Sequence, residues 1–273
     1  MKLFDCHCHT NNSHDSSCDP IKLCEAAIAK GLGGIAITDH CDIEYAHMRD
    51  EVTPIESSLA CASLLKEKYA GKLLVLRGIE IGEGLWNIDA TKRILENHSF
   101  DIVLGSAHAA DFKEFTMPFS GIDFSAFSYE DVLGYCNAYF DEMIKMLSSD
   151  MDFDVLCHLT NPWRYITGKY KIEVDVHLFD EKIEKILSLL IDRNIAYEVN
   201  TSIYGGTYSA VMQEIPFLKK YLEMGGYLIT LGADSHIPEN VGIDFERITK
   251  ILKDIGFTKA YYYQNRKAVA YDL

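Results

Sequence analysis

Six of the ten histidines stand where an apolar run ends, and the other residues at those ends are carboxylates. The run from Lys2 closes on His7 and His9, and the run from Gly34 closes on His40. Leu73 to Glu80, Asp101 to His108, Asp154 to His158 and Tyr227 to His236 follow the same pattern, the last with Asp234 beside His236. Imidazole nitrogen and carboxylate oxygen are the donors that hold zinc, iron or manganese. One histidine after a strand is more often a hydrogen-bonded polar residue than a ligand. The H-x-H pair carries more weight, because the period of two in a strand turns both rings to one face. Recurrence over six runs points to a polynuclear metal site. His14, His47, His98 and His177 fall in loops or near helix ends and read as polar residues outside it.

Ligands so far apart in sequence meet only if their strands are gathered in parallel, with their C-terminal ends on one face. The pattern between the runs fits that requirement, since helical periodicity alternates with strands from end to end. Asp19-Pro20 predicts a helix start and Gly31 its close. Further helices are predicted over Thr53 to Tyr69, Ala90 to Asn97, Tyr129 to Ser149, Asp180 to Asp192, Pro216 to Met224 and Phe245 to Ile255. Seven βα units result, so the expected fold class is α/β, a (β/α)7 barrel forming a single domain over residues 1–273. The long segment from Ala109 to Ser128 reads as a functional loop or a surface insertion. Alternation along the first strand predicts that Cys6 and Cys8 turn away from the histidines, toward the helices.

A chain of 273 residues with 48% hydrophobic content is the usual size for one such barrel. Its net charge of −15, with no basic run, argues against a nucleic-acid partner. A small phosphorylated substrate stays compatible, because divalent cations reverse the local potential. No signal segment is evident, and the most apolar helix, around Ile183 to Ile191, is interrupted by charge, so no membrane span and a cytoplasmic location are expected. Eight scattered cysteines with no C-x-x-C pair read as buried small hydrophobes in a reducing compartment. Oligomeric state is not legible.

The motifs His7-Cys-His9-Thr, Thr38-Asp-His40, Gly78-Ile-Glu80, Gly105-Ser-Ala-His108 and Gly232-Ala-Asp-Ser-His236 resemble those of the polymerase-and-histidinol-phosphatase (PHP) superfamily, in its monofunctional histidinol-phosphatase type. Cys157-His158-Leu159 and Glu198-Val-Asn200-Thr201 also look like family positions. The resemblance runs nearly the whole length. It implies a distorted barrel with three divalent transition metals, zinc, iron or manganese, at the C-terminal strand ends. His7, His9, Glu80 and Asp234 would hold one metal, and Glu80 would bridge to a second held by His108 and His158. Asp15, His40 and His236 would hold the third, with His14 the rival of Asp15. The implied reaction is hydrolysis of a phosphomonoester by a hydroxide shared between metals, with L-histidinol phosphate of histidine biosynthesis as the leading substrate.

Asp234 and His236 are the nearest candidates to protonate the leaving oxygen. Arg164, just after the His158 strand, is the candidate phosphate contact, as a planar cationic fork. One departure weighs on the substrate: Ser202 stands where the family has an arginine soon after the Asn-Thr pair. Glu44, Asp111, Asp123, Phe112, Phe115, Phe119 and Tyr204 are expected to line an acidic, aromatic mouth suited to a small cationic substrate. The alternatives are a phosphoesterase of this family acting on a phosphotyrosyl protein or another small phosphate ester, and a non-catalytic interaction module. Nine filled ligand positions and the acidic balance argue against the module.

Overall fold

The protein is described by a computed structural model covering residues 2–43, 52–113, 117–204, 208–209 and 211–273. Glu44, His47, Phe115, Gly205 and Gly206 lie outside the described residues.

The first half runs β1 (Phe4–Cys8), α1 (Pro20–Ala29), β2 (Gly34–Ile37), β3 (His40–Asp42), α2 (Val52–Lys68), β4 (Leu74–Gly82), α3 (Ile88–Asn97), β5 (Ile102–Ser106) and α4 (Tyr129–Ser148). The second continues with β6 (Val155–Leu156), α5 (Asn161–Ile166), α6 (Asp180–Arg193), β7 (Ala196–Asn200), β8 (Ile203–Tyr204), β9 (Tyr208–Ser209), α7 (Val211–Glu223), β10 (Ile229–Gly232), α8 (Phe245–Ile255), β11 (Lys259–Gln264) and β12 (Lys267–Asp272). The parallel strands lie in the order β1-β2-β4-β5-β6-β7-β10, and β3 continues the line of β2 along β4. Seven strand positions therefore form the wall, as expected. It closes through a short seam: Cys8 pairs with Ser235, the His9 N–H donates to the Ser235 carbonyl at 2.9 Å, and the Asp5 carboxylate accepts from the Ala233 and Gly242 N–H groups.

Side-chain alternation separates two apolar layers. Leu76, Leu104, Val155 and Ala196 fill the barrel interior, whereas Val75, Ile79, Ile81 and Val103 pack beneath the helices. Helix α6 answers with Ile183, Ile186, Leu187 and Leu190, all buried. Each contributes about 1.5–3 kcal/mol when fully buried, before chain entropy is counted, enough to fix which face of the helix turns inward.

Four local expectations are corrected. Cys6 does not face the helices: the register between β1 and β2 shifts between Asp5 and Cys8, and this bulge leaves Cys6 in the interior layer while His7 and His9 still reach the site above it. Cys8 alone packs toward the helices. Pro216 does not start its helix but sits inside α7, whose preceding turn is held by buried Val211 and Glu214. Residues 161–166, for which no helix was expected, form α5, and residues 259–272, beyond the last expected helix, form an antiparallel hairpin, β11–β12. That hairpin plugs the bottom of the barrel, with the Tyr263 hydroxyl donating to the Asp154 carbonyl and Tyr262 stacked on Phe4.

Candidate metal centre and cleft

All nine residues named as candidate ligands converge at the C-terminal end of the barrel. Glu80, an interior residue of β4 with no exposure, is the centre. Its Oε2 lies 3.0 Å from His40 Nδ1, 3.2 Å from His7 Nε2 and 3.5 Å from His9 Nε2. Its Oε1 lies 2.9 Å from His158 Nε2 and 3.2 Å from His108 Nε2. Asp234 Oδ1 is 3.3 Å from His9 Nε2 and 3.7 Å from His7 Nε2. Asp15 Oδ2 is 3.1 Å from His236 Nε2 and 3.6 Å from His40 Nε2. His14 instead points its Nδ1 toward Asp42 Oδ2, at 3.7 Å.

Backbone distortion places two of these side chains. His158 (φ 30°) and Asp234 (φ 49°) both occupy the left-handed region, at about 1–3 kcal/mol each for residues other than glycine. His158 is held there from both sides: its N–H donates to Glu198 Oε2 at 2.7 Å, and its carbonyl accepts from the Tyr139 hydroxyl at 3.1 Å. The turn explains how Cys157 and His158, adjacent in sequence, both face inward.

A second layer of polar groups sets the ring tautomers. The His7 Nδ1–H donates to Glu198 Oε1 at 2.6 Å, since a carboxylate can only accept, and this leaves the Nε2 lone pair directed at Glu80 and Asp234. Ser13 donates to Asp39, so its oxygen accepts from His9 Nδ1–H at 3.1 Å, which again frees Nε2. Asp42 Oδ1 lies 3.4 Å from His108 Nδ1, an ion-pair distance without a formed hydrogen bond. Glycines make room for these carboxylates. A Cβ on Gly232 would overlap Glu198 Oε1, and one on Gly82 would overlap Asp42 and come within 2.8 Å of His108 Nδ1. Sequence reading noted Glu198, Asp39 and Gly232 within motifs without a role and passed over Asp42 and Gly82. The available signals were a lone acid in the interior register of an apolar strand, and an acid two residues beyond His40 on the same strand face.

Burial pushes the Glu80 carboxyl up, but His40, His7 and His108, which when protonated carry the positive charge that a bound cation would otherwise supply, outweigh it and hold Glu80 well below the usual range. Burial also pushes Asp234 up, against the larger combined pull of neighbours led by His7 and Arg164, which keeps it ionised. For His9, burial and the nearby His236 and His40 push the pKa down to about 3, so the ring is neutral with a lone pair to offer.

Over the centre opens a cleft walled by Phe119, Tyr165, Asn161 and Arg164 and floored by Asp15, Asp42, His40, His108 and His236. Arg164 Nη1 pairs with Asp234 Oδ2 at 2.9 Å, and Nη2 donates to Ser202 Oγ and to Asn200 Oδ1. Phe119 meets the expectation for the mouth. Asp111, Asp123 and Phe112 do not line the cleft: Asp111 is exposed, Asp123 bonds Ser125, and Phe112 packs edge-on against Tyr135. The acids that face the cleft are Asp15, Asp42 and Asp234.

Residues 5–202 match the PHP domain family, and the chain belongs to that family. Asp234 and His236 lie beyond the matched span. The chain is 29% identical, over 95% of its length and 96% of the relative's, to a probable histidinol-phosphatase of Clostridium acetobutylicum. It is 24% identical, over 94% of its length and 93% of the relative's, to the histidinol-phosphatase of Lactococcus lactis. Among solved structures it superposes with a TM-score of 0.80, at 21% identity, on a histidinol phosphate phosphatase from Lactococcus lactis in complex with zinc, L-histidinol and phosphate. That match covers 98% of this chain and 99% of the other, and it places the barrel described above among known folds. No helix among the described residues is long and apolar enough to cross a membrane.

Proposed function

We propose that this chain is a metal-dependent phosphomonoesterase that hydrolyses L-histidinol phosphate to L-histidinol and phosphate, acting as a single domain in the cytoplasm. The observation that carries the reading is the Glu80 carboxylate ringed by five imidazoles. Glu80 Oε2, His7 Nε2 and His9 Nε2 are buried with no hydrogen-bond partner among the described residues. Leaving one such atom unsatisfied costs about 1–3 kcal/mol, so three converging on one point fit a cation bound between them. The donor set of imidazoles and carboxylates suits zinc, iron or manganese.

His7, His9, Glu80 and Asp234 would hold one metal, Glu80, His108 and His158 a second, and Asp15, His40 and His236 a third. Divalent cations in these places supply Lewis acidity, which activates water near neutral pH and offsets charge on the phosphate. The chain supplies the rest. Arg164 presents a fixed cationic fork at the cleft edge for a phosphate oxygen. Asp15 and Asp42 give the cleft the negative lining that a cationic leaving group requires, and Phe119 and Tyr165, 5.3 Å apart, give it an aromatic wall. Both candidates for protonating the leaving oxygen are committed, Asp234 to Arg164 and His236 through Nδ1 to the Asp234 carbonyl and through Nε2 to the third site, so the proton would come from solvent in the open cleft. The eight cysteines form no disulfides, which agrees with a reducing compartment.

The relatives and the solved neighbour named for histidinol phosphate support the substrate. Ser202 does not leave the phosphate side without a cation, because its hydroxyl helps to hold Arg164 in place. The test is phosphate release from histidinol phosphate, phosphotyrosine and a nucleoside monophosphate after reconstitution with manganese, zinc or iron. Histidinol phosphate should be preferred by at least tenfold in kcat/KM. Preference for phosphotyrosine would overturn the substrate, and inactivity on all three with metal bound would overturn the enzyme.

A further inference from the structure

Helix α5 carries Arg164 into the cleft, yet its six residues are too few to be stable on their own. It must be held from outside, and one buried carboxylate does so. Glu214 of α7, 2% exposed, accepts from the Thr160 N–H at 3.1 Å and from the Thr160 hydroxyl at 2.5 Å through Oε1. Its Oε2 accepts from the Tyr197 hydroxyl at 2.7 Å, which comes off the outer face of β7. Thr160 is the residue from which α5 starts, and its own side chain makes no capping bond to the helix. The carboxylate therefore ties the start of α5 to β7 and α7 at once.

A charged residue in this position needs a reason. Burial pushes Glu214 up to about 7, against the lowering effect of the three hydrogen bonds, so the fold holds an acid where an apolar side chain would pack at less expense in desolvation. Its three donors are all spent on the link between α5, α7 and β7. None reaches the metal centre. His158, two residues before Thr160, is anchored separately by Glu198 and Tyr139, so the two ends of the short segment 158–160 have independent supports.

We infer that Glu214 is a positioning residue for phosphate recognition, setting α5 so that Arg164 is presented to the cleft. The inference rests on the reading of Arg164 as the phosphate contact. Arg164 reaches Asp234, Asn200 and Ser202 from α5 alone, so a rotation or retreat of α5 displaces its guanidinium while the ligands on β1, β4, β5 and β10 stay in place.

The experiment uses the metal-loaded full chain with histidinol phosphate as substrate and inorganic phosphate as competing ligand. Glu214→Ala should lower kcat/KM by about 10-fold or more and weaken phosphate inhibition by a similar factor, with metal content unchanged. Glu214→Gln, which keeps the acceptor for Thr160 and turns the Tyr197 hydroxyl into an acceptor, should recover activity to within about threefold of wild type. In an Arg164→Ala background, Glu214→Ala should add less than about twofold, because both changes remove one contact. If Glu214→Ala fails to fold, Glu214→Asp, which withdraws the carboxylate from Thr160 by one methylene, carries the same expectations. Wild-type kcat/KM in the folded variant, full additivity with Arg164→Ala, or metal lost in step with activity would each overturn the inference. Inactive wild-type protein would instead overturn the proposed function, and an Arg164→Ala variant with wild-type kcat/KM would overturn the phosphate role of Arg164.

Discussion

Glu198→Gln exchanges one atom, and the geometry around it allows no good outcome for the amide. Glu198 Oε1 accepts from His7 Nδ1–H, while Oε2 accepts from the His158 N–H and from Asn200 Nδ2. A glutamine has one acceptor and one donor end. If its oxygen faces His7, its NH2 group meets the His158 N–H and the Asn200 amide head-on, and an unsatisfied buried donor costs about 1–3 kcal/mol. If it flips, its NH2 group faces His7 Nδ1 and drives the ring to the other tautomer, whose Nε2–H cannot bind a metal. Both routes weaken the site through His7. Loss of an orienting carboxylate of this kind is worth about 10–100-fold in metal affinity or activity, or roughly 1.4–2.7 kcal/mol. The assay is metal affinity by competition with a chromophoric chelator, alongside kcat at saturating metal. Gly232→Ala provides a second check, since its Cβ would displace Glu198 Oε1 and press on the Cβ of His7, disturbing the same Glu198–His7 contact by bulk instead of charge. Affinity within twofold of wild type in both variants would show that the His7 tautomer is not set by Glu198.

Glu80→Gln should be among the most damaging single changes, reducing activity by about 10³-fold or more and lowering metal stoichiometry, because it removes the charge shared by two sites; elemental analysis and turnover check it together. Asp15→Ala should lower metal content or activity far more than His14→Ala, since Asp15 meets His40 and His236 whereas His14 meets Asp42; the opposite ranking in the same measurements would reassign the third site. Arg164→Ala should lower kcat/KM by about 10–1,000-fold with full metal content, and Arg164→Lys should restore only part of it; a loss below twofold in steady-state kinetics would leave the phosphate to the metals alone. Glu214 has its folded pKa raised to about 7 from 4.5, so its ionisation disfavours the fold, and its contribution to stability declines as pH rises from about 4.5 to 7. The Tm of Glu214→Gln relative to wild type should therefore climb across that window, by an amount on the order of 3 kcal/mol in free energy; a constant difference would mean that Glu214 does not titrate there.

The sequence by itself pointed to the barrel and to a meeting of its strand-end residues through periodicity, whereas Asp15 and the grouping into three metal sites came only from the resemblance to the PHP family. Apolar runs of strand length, separated by helical patterns, leave few arrangements other than parallel strands with their ends on one face, and His7, His40, Glu80, His108 and His236 each stand at such an end. Chemistry local to a residue was equally legible, as in the Asp19-Pro20 helix start, where Asp19 caps the Ile21 N–H at 2.8 Å. Only the tertiary structure decided what depends on contacts between distant segments. The bulge in β1 that turns Cys6 inward follows from pairing with β2, which no pattern within residues 4–8 encodes. The tautomer of His7 is set from Glu198, 191 residues away. The short helix bearing Arg164 is too brief to announce itself by period, and it stands because Glu214, from a helix fifty residues later in the chain, accepts the hydrogen bonds of Thr160. Periodicity reports which face a side chain takes, whereas the orientation of a ring or a guanidinium is fixed by partners that only the folded chain brings within 3 Å.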